Sequence, residues 1–226
     1  MAGRIGLAHA AWLAHLFLLK MENLKEKILK LKKAEISRVI NARNKEFKTL
    51  KSQPERWFSE LCFCILTAGS TAQRCIEVQK KVGSGFHTQP LSRLRQAMKS
   101  ASCRFYNKRA GYIVEARKKF QAQKVKELAE KNPSKAREWL AENIKGIGMK
   151  EASHFLRNIG YDIAIIDFHI IDILKMNGII KKSVKLDKNN YMEIENKLRN
   201  LAKSAKLTMA ELDLYLWYME TGKVLK

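Results

Sequence analysis

Apolar residues recur along the chain at the three- and four-residue spacing of an amphipathic helix, with lysines and arginines on the other face. The pattern is clear early in the chain, where Leu24 and Ile28, then Ile36 and Ile40, lie one turn apart. No run of alternating apolar and polar residues is long enough to predict a strand, and the apolar stretch 163–166 is too short. We therefore predict an all-α fold.

Capping residues and prolines mark where several of the predicted helices begin. Ser52 and Glu55 have the spacing of a capping box that opens one helix, and Thr208 and Glu211 have the spacing of a second. Pro90 starts a further helix. We also predict a loop at 83–85 and helices over 105–120, 190–203 and 208–219.

The stretch 143–169 is the part of the chain around which the rest is organised. It begins with a short turn between two predicted helices. The first helix covers 133–142, with Asn132 as its N-cap and a proline at its first position. The second covers 149–158 and is followed by Gly160, where a C′ glycine belongs.

The turn between these helices contains two glycines preceded by a lysine, Lys145, Gly146 and Gly148. Glycines allow a phosphate to approach the backbone, and the positive end of the following helix attracts it. These three residues are candidates for binding a DNA backbone in a helix–hairpin–helix motif, which does not read base sequence. An ordinary tight turn between packed helices is the alternative.

Two residues next to the turn could carry chemistry. Lys150 lies two positions past Gly148, at the start of the second helix, and should be near bound DNA. A solvated surface lysine is the alternative. Asp167 ends the apolar run 163–166 and precedes a predicted helix over 168–177. It could be simply the N-cap of that helix, and a capping role would also hold its carboxylate in place.

The hairpin, the lysine and an aspartate about one helix later resemble the signature of the helix–hairpin–helix–GPD superfamily of base-excision DNA glycosylases. More narrowly, ASHFLRN at 152–158 and AIID-x-H at 164–169 are similar to the archaeal type-2 8-oxoguanine DNA glycosylases. The similarity extends from about Met21 to the end of the sequence. It implies that Lys150 is a nucleophile that forms a Schiff base with the sugar, that Asp167 assists it, and that β-elimination then cleaves the strand.

The same resemblance implies two helical domains with the active site in the cleft between them. A helical barrel over 57–161 would contain the hairpin, and the segments 21–56 and 162–226 would together form the second domain. Residues 1–20 are apolar but interrupted by histidines, and they have no clean cleavage site of a signal peptide. We treat them as a leader or upstream extension without an assigned function.

In the resembling family, aromatic side chains at positions matching Phe105 and Trp217 sandwich the flipped base, and the main-chain carboxylate of the residue matching Lys226 contacts the purine. We expect the position of that carboxylate to matter more than the lysine side chain. Core packing of the aromatics and a solvated tail are the alternatives. The chain departs from the family at Gly69, where an asparagine is usual, and at Phe168, where a basic residue often stands.

Composition supports a nucleic-acid partner. The 226 residues include 44 Lys and Arg against 22 Asp and Glu, a net charge of +22, which favours a polyanion through phosphate neutralisation and counterion release. Charge alone does not distinguish DNA from RNA. A non-catalytic binding module therefore remains an alternative to the repair enzyme, although such a module needs neither Lys150 nor Asp167.

The four cysteines are few and irregularly spaced, and the five histidines have no metal-ligand spacing with them. We predict reduced, buried thiols, no zinc, no iron–sulfur cluster and no other cofactor. The predicted enzyme is a monomer without a membrane anchor. It acts on double-stranded DNA containing oxidised guanine, in the nucleoid-bearing cytoplasm of a prokaryotic cell.

Overall fold

The computed structural model describes the backbone of residues 2–226 and the side chains from Trp12 onward. Every regular element in this part of the chain is a helix, so the predicted all-α class is confirmed. The helices are α1 (Ala2–Lys32), α2 (Ile36–Lys51), α3 (Pro54–Thr67), α4 (Ala72–Val82), α5 (Gly85–Thr88), α6 (Leu91–Ser100), α7 (Tyr106–Lys119), α8 (Ala122–Lys131), α9 (Pro133–Asn143), α10 (Met149–Asn158), α11 (Phe168–Met176), α12 (Lys188–Ser204) and α13 (Met209–Thr221).

The helices form two compact units. The terminal unit contains the chain up to Asn41 together with Ile166–Val224, and the hairpin unit contains Ala42–Ile165 together with Leu225–Lys226. The predicted domain limits lie near residues 56 and 161, whereas the chain passes from one unit to the other after Asn41 and after Ile165.

Helix α3 is the centre of the hairpin unit and packs against α4, α5, α7, α8 and α10. Nearly every side chain of its second half is buried, including Leu61, Cys64 and Ile65. Trp57 is also fully buried, and its indole N–H donates to the carbonyl of Leu50 at 2.7 Å, so that the polar atom of a buried ring is satisfied.

The predicted capping box at Ser52 and Glu55 is wrong. Helix α3 starts one residue later than a Ser52 cap requires, with Gln53 as N-cap and Pro54 in the first turn. The hydroxyl of Ser52 donates instead to the carbonyl of Thr49 at 3.0 Å, at the end of α2. The predicted loop at 83–85 is also shorter than expected, since α5 begins at its last glycine.

The terminal unit is built from α1, α11, α12 and α13. Leu24 and Ile28 of α1 are fully buried, as their spacing predicts. The capping box predicted for α13 is present: Glu211 N–H donates to Thr208 Oγ at 3.1 Å, and Thr208 N–H donates to the Glu211 carboxylate at 2.8 Å. The chemistry of this turn is local, which is why the sequence pattern predicts it.

Helix α1 continues without a break through Met21, so the described backbone of the segment assigned to a leader is helical. Side chains before Trp12 lie outside the described residues. Trp12 and Leu18 expose more than half of their surface. No helix among the described residues is long and apolar enough to cross a membrane. The four cysteines are free thiols with buried side chains.

Candidate active site

The turn between α9 and α10 has a backbone that only glycine adopts without strain. Gly146 has φ of +85°, in the left-handed region. A Cβ at this position would lie 2.5 Å from Cδ2 of Tyr112, so the ring of Tyr112 leaves no room for a side chain. The isoleucines at 144 and 147 are buried and anchor both sides of the turn in the core.

A carboxylate occupies the N-terminus of α10. The N–H of Gly148 donates to one oxygen of Glu151 at 3.2 Å, and the other oxygen of that carboxylate lies 3.3 Å from Nζ of Lys150. Unpaired N–H groups and the helix dipole favour negative charge at this end of a helix. The site therefore holds an anionic oxygen and has the chemistry that binds phosphate.

Lys145 is the most exposed of the charged residues at the turn, with 61% of its side chain accessible. Its Nζ lies 3.9 Å from the Glu115 carboxylate and 5.6 Å from the centre of the Tyr112 ring. An exposed ion pair at this distance contributes little. The ammonium group is therefore free to move to a phosphate.

Lys150 lies in the first turn of α10, with 29% of its side chain accessible. His154 follows one turn later and is buried against Phe63, whose ring it meets edge-on at 5.4 Å. Burial holds the pKa of His154 well below its usual value, and the charges of Arg157 and Lys150 lower it further, while a hydrogen bond with the backbone of Lys226 opposes the shift. The imidazole is therefore neutral near pH 7.

Lys226 is held against the hairpin unit, in contrast to a solvated tail. Its Nζ lies 2.8 Å from the Glu60 carboxylate, and the two side chains are only 18% and 10% accessible. The same ammonium group lies 4.5 Å from the centre of the Phe63 ring and bonds to the side-chain oxygen of Gln79. Through Phe63 and His154, the residue is linked to the helix that carries Lys150.

Asp167 belongs to the terminal unit and is the N-cap of α11, the structural role that the sequence offered as the alternative. Its carboxylate accepts a hydrogen bond from the N–H of Ile170 at 3.1 Å. The helix ends at Met176, and Gly178 follows with φ of +64°. The cap fixes the direction of the carboxylate and leaves its second oxygen for another partner.

Three aromatic side chains near Asp167, in the same unit, contact one another in a row. Phe168 is 67% accessible and lies 3.9 Å from the ring of His169. His169 meets the ring of Trp217 edge-on at 4.6 Å. The indole N–H of Trp217 is buried and has no hydrogen-bond partner within the described residues, so it is available as a donor.

Phe105 lies on the surface of the hairpin unit, away from the turn in sequence. Its side chain is 53% accessible, and its backbone is left-handed, with φ of +57°. The guanidinium groups of Arg104 and Arg109 lie 4.6 and 5.5 Å from the ring centre. An exposed ring between two cations, in a conformation that is costly for a bulky residue, is typical of a functional surface.

Gly69, where the resembling family usually has asparagine, lies next to this ring. Its φ is +68°, and a Cβ there would meet Cε2 of Phe105 at 3.9 Å, an ordinary contact. Arg104 donates to the Gly69 carbonyl at 2.9 Å, and Arg109 donates to Ser70 Oγ at 3.1 Å. The turn at Gly69 and the Phe105 loop are thus one connected surface.

The structure groups the predicted residues by unit. The hairpin unit contains Lys145, Gly146, Gly148, Lys150, Phe105 and Lys226, and the terminal unit contains Asp167 and Trp217.

Sequence reasoning missed Glu151, His154, Glu60 and Gln79. The four-residue spacing of Lys150 and His154 could have indicated that they share a helix face. Nothing local indicates Glu60, which is 166 positions from its partner Lys226.

The arrangement of possible ligand side chains among the described residues does not indicate a metal site. Across the described part of the chain, no group of three or more His, Cys, Asp or Glu side chains is placed to hold a metal ion. Burial raises the pKa of the Cys62 and Cys64 thiols well above the usual value, which disfavours the thiolate that a metal requires.

Comparison with known proteins assigns the family. The Ogg-HhH family model, described as 8-oxoguanine DNA glycosylase, matches residues 40–207. A protein of Methanocaldococcus jannaschii named 8-oxoguanine DNA glycosylase/AP lyase is 50% identical over 206 residues, which cover 89% of this chain and 98% of that protein.

Solved structures give the same result. The M. jannaschii 8-oxoguanine glycosylase/lyase in complex with a 15mer DNA containing 8-oxoguanine has a TM-score of 0.84 at 50% identity, covering 90% of this chain and 99% of that one. The 8-oxoguanine DNA glycosylase of Thermotoga maritima has a TM-score of 0.83 at 40% identity, covering 91% and 100%. The chain belongs to the Ogg-HhH family of 8-oxoguanine DNA glycosylases.

Proposed function

We propose that the protein excises 8-oxoguanine from double-stranded DNA and then cleaves the abasic strand. The observation that carries the proposal is the position of Lys150, in the first turn of α10 directly after the glycine turn and 3.3 Å from the Glu151 carboxylate. Relatives that carry both activities in their names support it. The enzyme acts as a monomer in a prokaryotic cytoplasm.

In the proposed reaction the damaged nucleotide is rotated out of the helix, since a base inside a duplex cannot be reached. The neutral amine of Lys150 attacks C1′, a bond forms between nitrogen and carbon, and the bond from C1′ to the base breaks. The base leaves with one of the protons that the amine gives up, and the sugar ring opens to a Schiff base as the second amine proton passes to the ring oxygen. Loss of a proton from C2′ then breaks the C3′–oxygen bond, which is β-elimination.

Asp167 stabilises the positive charge that develops on the sugar and accepts the proton from the amine. The hydrogen bond from Ile170 already fixes this carboxylate before DNA binds. Such pre-arrangement avoids the reorganisation that a mobile group would need at the moment of reaction.

Lys145, Gly146 and Gly148 bind the DNA backbone in this proposal. The exposed ammonium of Lys145 and the anion site at the start of α10 suit two phosphate oxygens. Phe105 and Trp217 contact the flipped base by stacking, and the main chain of Lys226 contacts its purine edge. The accessible ring of Phe105 and the unpaired indole N–H of Trp217 support their part.

Borohydride trapping tests the proposal. Reduction of the Schiff base on a duplex with one 8-oxoguanine should yield a covalent protein–DNA adduct. Lys150→Gln should abolish the adduct and still bind the duplex. The matched control is Lys197→Gln, which removes a lysine of α12 whose ammonium pairs with Glu193, and it should form adduct normally. An adduct formed equally well by the Lys150→Gln protein would assign the nucleophile elsewhere.

A further inference from the structure

The ammonium group of Lys226 is bound on three sides. Glu60 supplies a carboxylate at 2.8 Å, Gln79 supplies an amide oxygen, and Phe63 supplies a ring face at 4.5 Å. A solvated tail does not have this arrangement, because immobilising a lysine side chain costs up to about 2 kcal/mol of rotamer entropy. The contacts are those of a specific binding site for one lysine side chain.

The groups that bind the ammonium are themselves fixed. Glu60 uses its other oxygen to accept from Asn158 Nδ at 3.2 Å, in the core of the unit. The amide nitrogen of Gln79 donates to the Ser59 carbonyl at 2.9 Å, to Ser59 Oγ at 3.0 Å and to Glu60 at 3.2 Å. With its nitrogen bonded to acceptors, Gln79 can present only its oxygen to Lys226.

The other end of the residue has its own partner. The backbone of Lys226 lies against the imidazole of His154, a contact that favours the protonated ring. His154 is itself buried and held edge-on by Phe63. Nε2 of this ring has no hydrogen-bond partner among the described residues.

We infer that Glu60 and Gln79 are positioning residues that bind the ammonium group of Lys226 and thereby hold its main-chain oxygen in place for the lesion. The inference rests on the proposed function. With its ammonium bound to two side chains and a ring face, Lys226 has less conformational freedom than a residue of a solvated tail. Lesion recognition at Lys226 then depends on Glu60 and Gln79, which lie more than 140 positions away in the sequence.

The contacts of the ammonium group with Glu60 and Gln79 change the expectation for the lysine side chain itself. If only the position of the backbone mattered, removal of the ammonium would have little effect. Nζ is bound to Gln79 and to the Glu60 carboxylate, whose side chain is only 10% accessible. Loss of the ammonium therefore leaves the Glu60 carboxylate without its cation. An unpaired, largely buried charge is destabilising, and the backbone of Lys226 loses the anchor that its side chain provides.

The test compares base release with strand cleavage at a preformed abasic site, which requires no purine recognition. Glu60→Gln keeps the size of the side chain and removes its charge, and Gln79→Leu removes the oxygen that faces the ammonium. Both should lower single-turnover release of 8-oxoguanine roughly ten- to a hundredfold, the value of a lost hydrogen bond to a charged group. Cleavage of the abasic duplex should stay near the wild-type rate.

A double-mutant cycle separates positioning from general stability. Lys226→Met keeps the length of the side chain and leaves the contact between Glu60 and Asn158 in place. Its loss of base release should match that of Glu60→Gln, and the double variant should lose little more, because both changes remove one interaction. Glu193→Gln, which breaks the exposed ion pair with Lys197, is the matched control and should retain full release.

Three results would overturn the inference: unchanged base release by Glu60→Gln and Gln79→Leu, fully additive losses in the cycle, or equal loss of abasic-site cleavage in the positioning variants. A wild-type chain that releases no 8-oxoguanine at all would instead contradict the proposed function. The two failures are therefore distinguishable in the same set of measurements.

Discussion

Asp167 combines a structural and a proposed chemical role in one carboxylate. One oxygen accepts the N–H of Ile170 and caps α11. The proposed reaction uses the same group to stabilise a positively charged sugar. The two roles are compatible because a cap orients the carboxylate without neutralising it, and because a carboxylate has acceptor sites to spare.

Asp167→Asn should separate the two roles. Asparagine caps helices about as well as aspartate, so thermal stability should change little. The loss of negative charge should lower base release by about 10²–10³, as for other single charge-stabilising groups. Asp187→Asn, at the N-cap of α12, is the matched control and should retain activity. Normal turnover by the Asp167→Asn protein would leave this residue with its structural role alone.

His154 should make stability sensitive to acid. Its pKa in the folded protein is depressed, chiefly by burial. As the pH falls, the unfolded chain therefore takes up the proton first, and stability that is present above about pH 6.5 is lost towards lower pH. Relative to His154→Gln, the wild type should lose up to ~1.4 kcal/mol of unfolding free energy per pH unit below that point. Urea titrations at several pH values measure this difference, and parallel pH profiles of the two proteins would contradict it.

Residues whose role depends on neighbours in sequence were predictable, and those that depend on distant partners were not. The cap at Asp167 and the position of Lys150 follow from the turn and helix next to them. Glu60 and Gln79 face Lys226 only because the chain folds back over more than 140 positions. An acidic residue in a buried helix has many possible partners, and the sequence does not indicate which of them it contacts.

Among the elements, helix α10 shows why prediction succeeded. Its apolar residues Ala152, Phe155 and Leu156, and Ile159 directly after it, lie at helical spacing and are all fully buried. The start of α3 shows where it failed. Ser52 could cap α3 or close α2, and its hydroxyl bonds to Thr49 at the end of α2. A capping pattern in the sequence does not show which of two adjacent helix ends a serine hydroxyl will bond to.

The glycine turn can be tested as an element. Gly146→Ala would require a left-handed alanine, at a cost of about 1–2 kcal/mol, and would place its methyl carbon against Tyr112. We expect a lower melting temperature and weaker binding to undamaged duplex. Gly111→Ala, next to Tyr112 in α7, is the matched control, because a Cβ there meets nothing within 4 Å. That variant should be as stable as the wild type or more so. Equal DNA binding by both variants would exclude the turn from the interface.

For the chain as a whole, composition indicates a nucleic-acid partner and local periodicity predicted the all-α fold class. Neither composition nor periodicity predicted which segments of the chain belong to which unit. Residues 225 and 226 belong to the hairpin unit although the helix before them belongs to the terminal unit. Only the family resemblance implied a domain built from both ends of the chain, because hydrophobic spacing carries no information on which helices meet.

The net charge of +22 should make DNA binding strongly dependent on salt. Each phosphate neutralised adds about −0.9 to the slope of log K against log salt concentration. Lys145→Ala should therefore reduce the magnitude of that slope by about one, and should weaken damaged and undamaged duplexes to the same extent, because a phosphate contact carries no base specificity. Fluorescence anisotropy titrations over a range of salt concentrations measure both quantities. If the salt dependence of the Lys145→Ala protein has the same slope as that of the wild type, the ammonium of Lys145 stays with Glu115 when DNA binds. The phosphate contact would then have to be assigned to the helix N-terminus alone.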